Sequence, residues 1–298
     1  MQISANGIAI EVEDHGPTSG EPLLLIMGLG MQLVAWHEGF VAGLVRRGFR
    51  VIRFDNRDIG LSQSFDHLGL PNLAADALRY TFGMNVKSAY SLSDMAADSA
   101  GVLDALGITS AHVCGASMGG MIAQQLALLH PRRVKSLTLM MTSSGSRRLP
   151  GPSLKVRGAL MSRPANAADQ HSVIAHYTRL YRLIGSPAYP ASDEDLLERV
   201  GNAVRRSYRP RGTARQMVAI AADGDRSNLL RRLRVPTQVI HGRADALVPV
   251  AAGFDLAQKI EGAMLDVIDG MGHDLPEALW PRFIQGIEAA AQRSRAAF

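Results

Sequence analysis

Short runs of consecutive apolar residues alternate along this chain with longer segments in which apolar residues recur at helical spacing. Continuous apolar runs bounded by turns are typical of strands covered on both faces, and the wider spacing is typical of helices packed on one side. The predicted strands are residues 8–14, 22–28, 50–56, 111–117, 134–142, 236–242 and 263–270. The alternation predicts an α/β fold with a mostly parallel central sheet of about eight strands, flanked by helices.

Residues typical of helix ends mark the limits of two predicted helices. Residues 91–107 have Ser93 as the expected N-cap and Gly107 as the stop. Residues 118–131 carry apolar side chains at helical spacing and end at Pro131. The second helix directly follows a predicted strand, so its first residues lie at the carboxyl end of that strand.

The region 146–212 breaks the alternation, because it contains no convincing buried strand. It carries two helical patterns, 171–185 and 193–207, separated by turns that contain Pro and Gly. We therefore predict a first part of the core over residues 1–145, an inserted helical segment over residues 146–212, and a second part of the core over residues 213–298. The insertion is expected to lie over the sheet.

Composition narrows the class of protein. Of the 298 residues 47% are hydrophobic, which is enough for one large core. Cys114 is the sole cysteine, which excludes an intrachain disulfide and argues against a structural zinc site. The first residues show no basic segment followed by a long apolar run, and no stretch approaches the ~20 apolar residues that span a bilayer. We expect a cytoplasmic protein with no membrane partner.

Arginines account for most of the net charge of +5 and are dense at residues 205–215 and 231–234. Such clusters can bind polyanions when aromatic residues are interleaved or a nucleic-acid motif is present. Aromatic residues are not regularly interleaved and no nucleic-acid motif is present, so we predict that both clusters are solvated helix faces and that the protein has no nucleic-acid partner.

One serine lies where the predicted strand 111–117 meets the next helix. Ser117 stands in Gly-Ala-Ser-Met-Gly, framed by Gly115 and Gly119. A non-glycine residue at so sharp a bend adopts unfavourable backbone angles, at about 1–3 kcal/mol, and its neighbours two positions away must be small. The bend would lift the hydroxyl at the carboxyl ends of the strands, where open α/β sheets bind ligands. The pattern therefore predicts a nucleophile elbow.

A serine nucleophile requires a base, and the base requires a group that fixes its tautomer. Asp245 lies in the loop after the predicted strand 236–242, and His273 follows a Gly-Met-Gly turn after the next strand. The competing acid position, at residues 142–144, holds only Thr and Ser. We therefore select Ser117, Asp245 and His273 as the catalytic candidates. Histidines 112, 130 and 241 and Asp274, as a turn or cap residue, are predicted to be structural.

Two backbone amides are candidates for binding the charge that develops on a carbonyl oxygen. One is the amide of Met118, and the other is the amide of Leu29 in the loop after the strand 22–28. The end of the neighbouring strand 50–56 and the loop after it carry polar residues (Asp55, Arg57 and Asp58), which we predict to fix the Leu29 loop.

Several apolar side chains near strand ends, or in and beside the insertion, are candidates for lining a substrate pocket. For the strand-end group, packing in the core is an equal alternative. The candidates are Met27, Met31, Trp36, Met141 and Leu247 at strand ends, and Tyr177, Tyr181 and Met217 in or next to the insertion.

Four motifs, taken together and in this order, resemble the α/β-hydrolase superfamily over nearly the whole chain. They are Phe-Asp-Asn-Arg-Asp-Ile-Gly-Leu-Ser at 54–62, Gly-Ala-Ser-Met-Gly at 115–119, His-Gly-Arg-Ala-Asp-Ala-Leu-Val-Pro at 241–249 and Gly-Met-Gly-His-Asp-Leu-Pro at 270–276. Most relatives have Asp-x-Arg-Gly within the first motif, and many have histidine in place of Met27. These departures make the chain most similar to the subgroup of aclacinomycin methylesterase and related small-ester hydrolases. No His-Gly-Gly-Gly stretch precedes the elbow, which disfavours the hormone-sensitive-lipase branch.

The resemblance implies a serine carboxylesterase for small to medium esters, with lactones and methyl esters included. It places Ser117, Asp245 and His273 in the triad and Leu29 and Met118 in the oxyanion hole, under a cap formed by the insertion, and it requires no cofactor or metal. Carbon–carbon bond hydrolysis and cofactor-free perhydrolysis with the same triad stay open, as does a small-molecule receptor that retains the fold. A serine nucleophile argues against haloalkane dehalogenase and epoxide hydrolase activity. The expected partner is a small ester, and monomer and homodimer are both open.

Overall fold

The computed structural model describes residues 1–296. The strands are β1 Gln2–Ala5, β2 Ile8–His15, β3 Glu21–Ile26, β4 Phe49–Phe54, β5 Ala111–Ala116, β6 Val134–Met140, β7 Thr237–Gly242 and β8 Met264–Ile268. The α-helices are α1 Glu38–Arg46, α2 Leu73–Thr81, α3 Leu92–Ala105, α4 Met118–Leu129, α5 Leu154–Met161, α6 Gln170–Ile184, α7 Asp193–Arg206, α8 Pro210–Asp223, α9 Ser227–Leu230, α10 Ala251–Lys259 and α11 Trp280–Ala296. Single 3₁₀ turns lie at Leu33–Ala35, Asp66–Leu68, Pro131–Arg133 and Glu277–Leu279.

The strands form an eight-stranded sheet in the order β1-β2-β4-β3-β5-β6-β7-β8. β2 pairs antiparallel with β1 and β4, and the pairs from β4 through to β8 are parallel. The prediction of a mostly parallel sheet of about eight strands is confirmed. The strand absent from the predicted set is β1, which has four residues and buries only Ala5, so its sequence carries no apolar run.

Alternation along the central strands divides the core into two layers. In β3, Leu24 and Ile26 pack into the cluster that includes side chains of α3, α4 and α10. Leu23 and Leu25 face the other way, into the cluster that includes side chains of α1 and α11. Because side chains of a strand point alternately to the two faces, a continuous apolar run is needed where helices cover both.

Helix α3 begins at a different cap from the predicted one. Ser91, not Ser93, is the N-cap: its hydroxyl accepts a hydrogen bond from the Asp94 amide at 3.0 Å. The Asp94 carboxylate in turn accepts from the Ser91 amide at 2.8 Å, which completes a capping box. The prediction of Ser93 was wrong because the residue three positions after it is Ala96, which cannot reciprocate.

Between β6 and β7 the described chain forms helices α5 to α9. The predicted helices 171–185 and 193–207 correspond to α6 and α7, which pack together through Val173, Val200 and Val204. Helix α8 runs without a break across residues 212 and 213, where we placed the end of the insertion. In the part of the chain that the structure describes, no helix is both long and apolar enough to cross a membrane.

The two arginine clusters differ in their surroundings. Arg231, Arg232 and Arg234 are exposed, as predicted, but they follow the end of α9 instead of lying on a helix face. The prediction of a solvated face was wrong within 205–215, because Arg215 is only 2% exposed and Arg206 donates to the buried carboxylate of Asp55 at 2.7 Å. These arginines join the helical region to the loop after β4 instead of facing solvent.

A buried histidine in β5 gives a testable pH dependence of stability. His112 is enclosed beside Ser136, and burial lowers its pKa from 6.5 to about 4. The unfolded chain therefore takes up a proton below about pH 6.5 that the folded chain does not, so stability falls as the pH drops toward 4. Replacing His112 with Gln should reduce the loss of unfolding free energy between pH 7 and pH 5 by about 2 kcal/mol in urea titrations.

The matched control is His67→Gln, at an exposed histidine. It should reproduce the wild-type difference between the two pH values. If His112→Gln does the same, the protonation of His112 does not govern this part of the stability curve.

Candidate active site

Ser117 occupies the bend between β5 and α4. Its φ of 55° and ψ of −120° are unfavourable for a residue with a side chain. A Cβ at Gly119 would lie 2.0 Å from the Ile26 carbonyl oxygen, and one at Gly115 would lie 2.2 Å from the Gly119 carbonyl oxygen. Both glycines are therefore required by close backbone approach, which is the reason that the sequence pattern gave for them.

The structure brings together the three side chains selected from the sequence. His273 Nε2 lies 3.0 Å from Ser117 Oγ, and His273 Nδ1 lies 2.7 Å from Asp245 Oδ2. The other oxygen of Asp245 accepts from the amides of Leu247 at 2.9 Å and Val248 at 2.8 Å. The carboxylate is thus fixed by its own loop, with one oxygen directed to the imidazole.

His241, at the end of β7, contacts the loop that carries Asp245. Its side chain is fully buried, and Nε2 lies 2.8 Å from the Val248 carbonyl oxygen and 3.6 Å from Asp245 Oδ2. Burial lowers the pKa of His241, so the neutral ring donates to Val248. This contact agrees with the structural role predicted for His241 and leaves the Asp245 carboxylate to His273.

The loop that carries His273 is held by the carboxyl end of α6. The His273 amide donates to the Ile184 carbonyl oxygen at 2.7 Å, and the Gly272 amide donates to Ser186 Oγ at 2.8 Å. The Ser186 hydroxyl donates to Asp274, whose carboxyl pKa is raised by burial. Asp274 thus ties the His273 loop to the helical region, a contact that the sequence did not predict because its partner is 88 residues away.

The loop after β3 passes directly beside Ser117. A Cβ at Gly28 would lie 3.1 Å from Ser117 Cβ and 3.7 Å from its Oγ. Within residues 1–296, neither the Leu29 amide nor the Met118 amide donates to a protein acceptor. Met118 is the first residue of α4, where a helix leaves its amides unsatisfied. Both amides are therefore available to bind an anion next to the hydroxyl.

The loop after β4 anchors the Leu29 loop, as predicted for Asp55. Asp55 Oδ1 accepts from the Leu33 amide at 2.7 Å, and the Asn56 side chain donates to the Met27 carbonyl oxygen at 2.8 Å. The side chains of Arg57 and Asp58 form ion pairs with helices instead of with the Leu29 loop. Arg57 pairs with Asp98 of α3, and Asp58 pairs with Arg215 of α8.

The strand-end candidates for the pocket lie mainly in the core. Trp36 is fully buried and stacks on Phe40 with ring centroids 5.7 Å apart, so core packing describes it. Met27 and Met141 are each 3% exposed in the same cluster, and Met31 is partly buried against it. Leu247 is partly buried beside Asp245. Contact of these four with substrate stays a prediction.

The two tyrosine candidates in the helical region belong to a small separate core. Tyr177 and Tyr181 pack against Val173, with their ring centroids 6.2 Å apart. Burial raises the pKa of Tyr181 to about 12. Met217 is partly buried on α8. Substrate contact by these three residues also stays a prediction.

Among residues 1–296, no group of three or more His, Cys, Asp or Glu side chains is arranged to hold a metal ion. Cys114 is enclosed in β5, and burial raises the pKa of its thiol. Cys114 is thus part of the hydrophobic core on one face of the sheet.

Comparison with known proteins decides the family. The profile described as alpha/beta hydrolase fold matches residues 21–277. The chain belongs to the α/β-hydrolase fold family. This α/β hydrolase is similar to rhodomycin D methylesterase DauP of Streptomyces sp. (strain C5), with 27% identity over 301 residues, 93% of each chain. The resemblance inferred from the four motifs is therefore confirmed.

Two further similarities show the breadth of this family. 2-Hydroxymuconate semialdehyde hydrolase of Pseudomonas sp. (strain CF600) is 30% identical over 277 residues, which cover 91% of the α/β hydrolase and 86% of that protein. The solved structure of the esterase RhEst1 from Rhodococcus sp. ECU1013 superimposes with a TM-score of 0.74 at 22% identity, covering 98% and 97% of the two chains. The α/β hydrolase is thus similar in sequence to a protein named as a methylesterase and to a semialdehyde hydrolase, and it shares its fold with a protein named as an esterase.

Proposed function

We propose that this α/β hydrolase is a serine carboxylesterase that hydrolyses small to medium carboxylic esters, including methyl esters and lactones. The observation that carries the proposal is the continuous series of hydrogen bonds from Ser117 through His273 to Asp245. Among residues 1–296, two backbone amides near Ser117 have no protein acceptor, that of Met118 at the bend and that of Leu29 in the adjacent loop after β3. A carbonyl oxygen attacked by Ser117 would acquire charge beside them.

In the first half of the proposed reaction, Ser117 Oγ attacks the acyl carbon while His273 Nε2 takes its proton. The amides of Leu29 and Met118 donate to the oxyanion of the tetrahedral intermediate. Asp245 Oδ2 accepts from His273 Nδ1, which orients the ring and stabilises its charged form. The alcohol then leaves with the proton from Nε2, and the acyl group remains on Ser117.

In the second half, water replaces the alcohol. His273 Nε2 takes a proton from the water as its oxygen attacks the acyl carbon, and the same two amides bind the second oxyanion. Collapse of this intermediate returns the proton to Ser117 Oγ and releases the carboxylic acid. Every proton is transferred by His273, so the cycle needs no other proton carrier.

Carbon–carbon bond hydrolysis is a second candidate, favoured by the similarity to 2-hydroxymuconate semialdehyde hydrolase. In that reaction the leaving group is a carbanion instead of an alkoxide, and the same serine, histidine and amides would serve. Cofactor-free perhydrolysis and a receptor role are further alternatives from the sequence.

A substrate panel separates these possibilities. We expect the purified chain to hydrolyse p-nitrophenyl acetate and butyrate and at least one alkyl methyl ester or lactone, followed by product release in a spectrophotometric or pH-stat assay. Turnover of a ring-cleavage diketone with no ester hydrolysis would replace the proposal with carbon–carbon hydrolysis. Tight binding of these compounds without turnover of any would support a receptor and contradict the esterase proposal.

A further inference from the structure

Helix α8 lies against the loop that carries Leu29 and makes a specific contact with it. Gln216 of α8 is fully buried, and both ends of its side-chain amide are used. Its Oε1 accepts from the Gly30 amide at 2.9 Å, and its Nε2 donates to the Arg57 carbonyl oxygen at 3.0 Å. The Gln216 side chain therefore joins the loops after β3 and β4. In the loop after β3 it binds Gly30, the residue that follows Leu29.

The contact constrains the backbone on the carboxyl side of the Leu29 α-carbon. The N–H that Gln216 binds belongs to the peptide unit linking Leu29 to Gly30, so its orientation limits rotation about the adjoining bonds of Leu29. Gly30 has a φ of +68°, and a Cβ there would lie 2.9 Å from Thr213 Cγ2 and Oγ1, one turn before Gln216. Helix α8 thus fixes this peptide unit by packing as well as by a hydrogen bond.

Helix α8 is itself anchored, so it can act as a rigid support. Arg215 Nε and Nη2 donate to the two oxygens of Asp58 at 2.6 and 2.7 Å. A Cβ at Gly212 would lie 2.0 Å from the Asp58 carbonyl oxygen, so the helix touches this backbone directly. The side chain of Gln216 cannot shift outward without disturbing these buried contacts.

We propose that Gln216 is a positioning residue for the oxyanion site: through Gly30 it holds the Leu29 amide directed at the carbonyl oxygen, without itself contacting substrate. This inference rests on the proposed function, because it assigns a catalytic use to the Leu29 amide. Loss of an oxyanion donor typically lowers the rate by ~10²–10³, and misplacing a group by about 1 Å can have a comparable effect.

The test compares Gln216→Met with wild type, using p-nitrophenyl butyrate and a pair of inhibitors. An aryl trifluoromethyl ketone adds to the serine and forms an oxyanion, whereas the corresponding secondary alcohol cannot. We expect Gln216→Met to lower kcat at least about tenfold with KM changed by less than about threefold. Affinity for the ketone should fall by a factor similar to that in kcat, while affinity for the alcohol stays constant.

The matched control is Gln124→Met. Gln124 is also fully buried with both ends of its amide bonded, to Arg226 and to the Ser143 carbonyl oxygen, but it does not contact the Leu29 loop. It should reduce stability to a similar extent and leave the ratio of ketone to alcohol affinity unchanged. Gln216→Asn is a second variant in case the Met variant does not fold, since it is too short to reach both partners and should also lower the ratio.

Two outcomes overturn the inference. An unchanged ketone-to-alcohol ratio in folded Gln216 variants of an active esterase would remove the positioning role and leave the proposed function standing. A wild-type protein that neither hydrolyses esters nor adds to the ketone would remove both proposals together.

Discussion

Replacing Ser117 with alanine should lower kcat for p-nitrophenyl butyrate by about 10⁴-fold or more, because no covalent acyl intermediate can then form. The Leu29 and Met118 amides remain, so a small residual rate above that of buffer is expected. The unfolding free energy should stay close to that of wild type, since Ala and Ser meet the same backbone strain at a φ of 55°. Initial rates and urea unfolding of the same preparation check both statements.

The losses of rate on replacing Ser117 and His273 should not be additive. His273→Ala is expected to cost about as much as Ser117→Ala, and the double variant should be no slower than either single variant, because each removal disables the same step. Ser99→Ala, at a buried serine that bonds within α3, is the matched control and should retain full activity. Activity that persists in Ser117→Ala would show that another residue is the nucleophile.

The position of the candidate site could be predicted because its signals are local. Gly115 and Gly119 flank Ser117 at a spacing that only a strand–turn–helix bend requires, and they sit at contacts of about two ångströms for any added Cβ. Asp245 and His273 each follow an apolar strand directly. Since parallel strands end at one edge of a sheet, three separate segments of sequence specify one location.

Contacts between distant segments could not be predicted in this way. Gly30 and Gln216 are 186 residues apart, and their contact depends on the rotation of α8 about its axis. The link from Ser186 to Asp274 depends likewise on where α6 ends. A single sequence specifies which side of a helix is apolar, but it does not specify which loop a buried polar side chain on that helix will meet.

Residue type alone also left the environment of some side chains undecided. Trp36 lies near a strand end, where the same apolar pattern suits a pocket or the core, and the structure places it in the core. Arg215 and Arg231 both lie in arginine-rich stretches of the sequence, yet Arg215 is buried in an ion pair and Arg231 is exposed. The difference arises from Asp58, a partner 157 residues earlier that composition cannot identify.

The buried pair of Arg215 and Asp58 should contribute strongly to stability. Each side chain is 1% exposed, and Asp58 also accepts from the Tyr90 hydroxyl at 2.9 Å and the Phe65 amide at 3.0 Å. Arg215→Met would remove two donors and leave a buried carboxylate without its counter-charge. We expect the unfolding free energy to fall by about 3–5 kcal/mol in urea titrations at neutral pH.

Arg234→Met is the matched control, because Arg234 pairs with Glu261 at 3.4 Å with both side chains mostly exposed. Its effect should be less than about 1 kcal/mol. The double variant Arg215→Met/Asp58→Asn should lose less than the sum of the two single losses, since it leaves no unpaired buried charge. A loss for Arg215→Met as small as that for Arg234→Met would mean that packing at Gly212 and Thr213, and not the ion pair, holds α8 against the loops that carry Leu29 and Asp58.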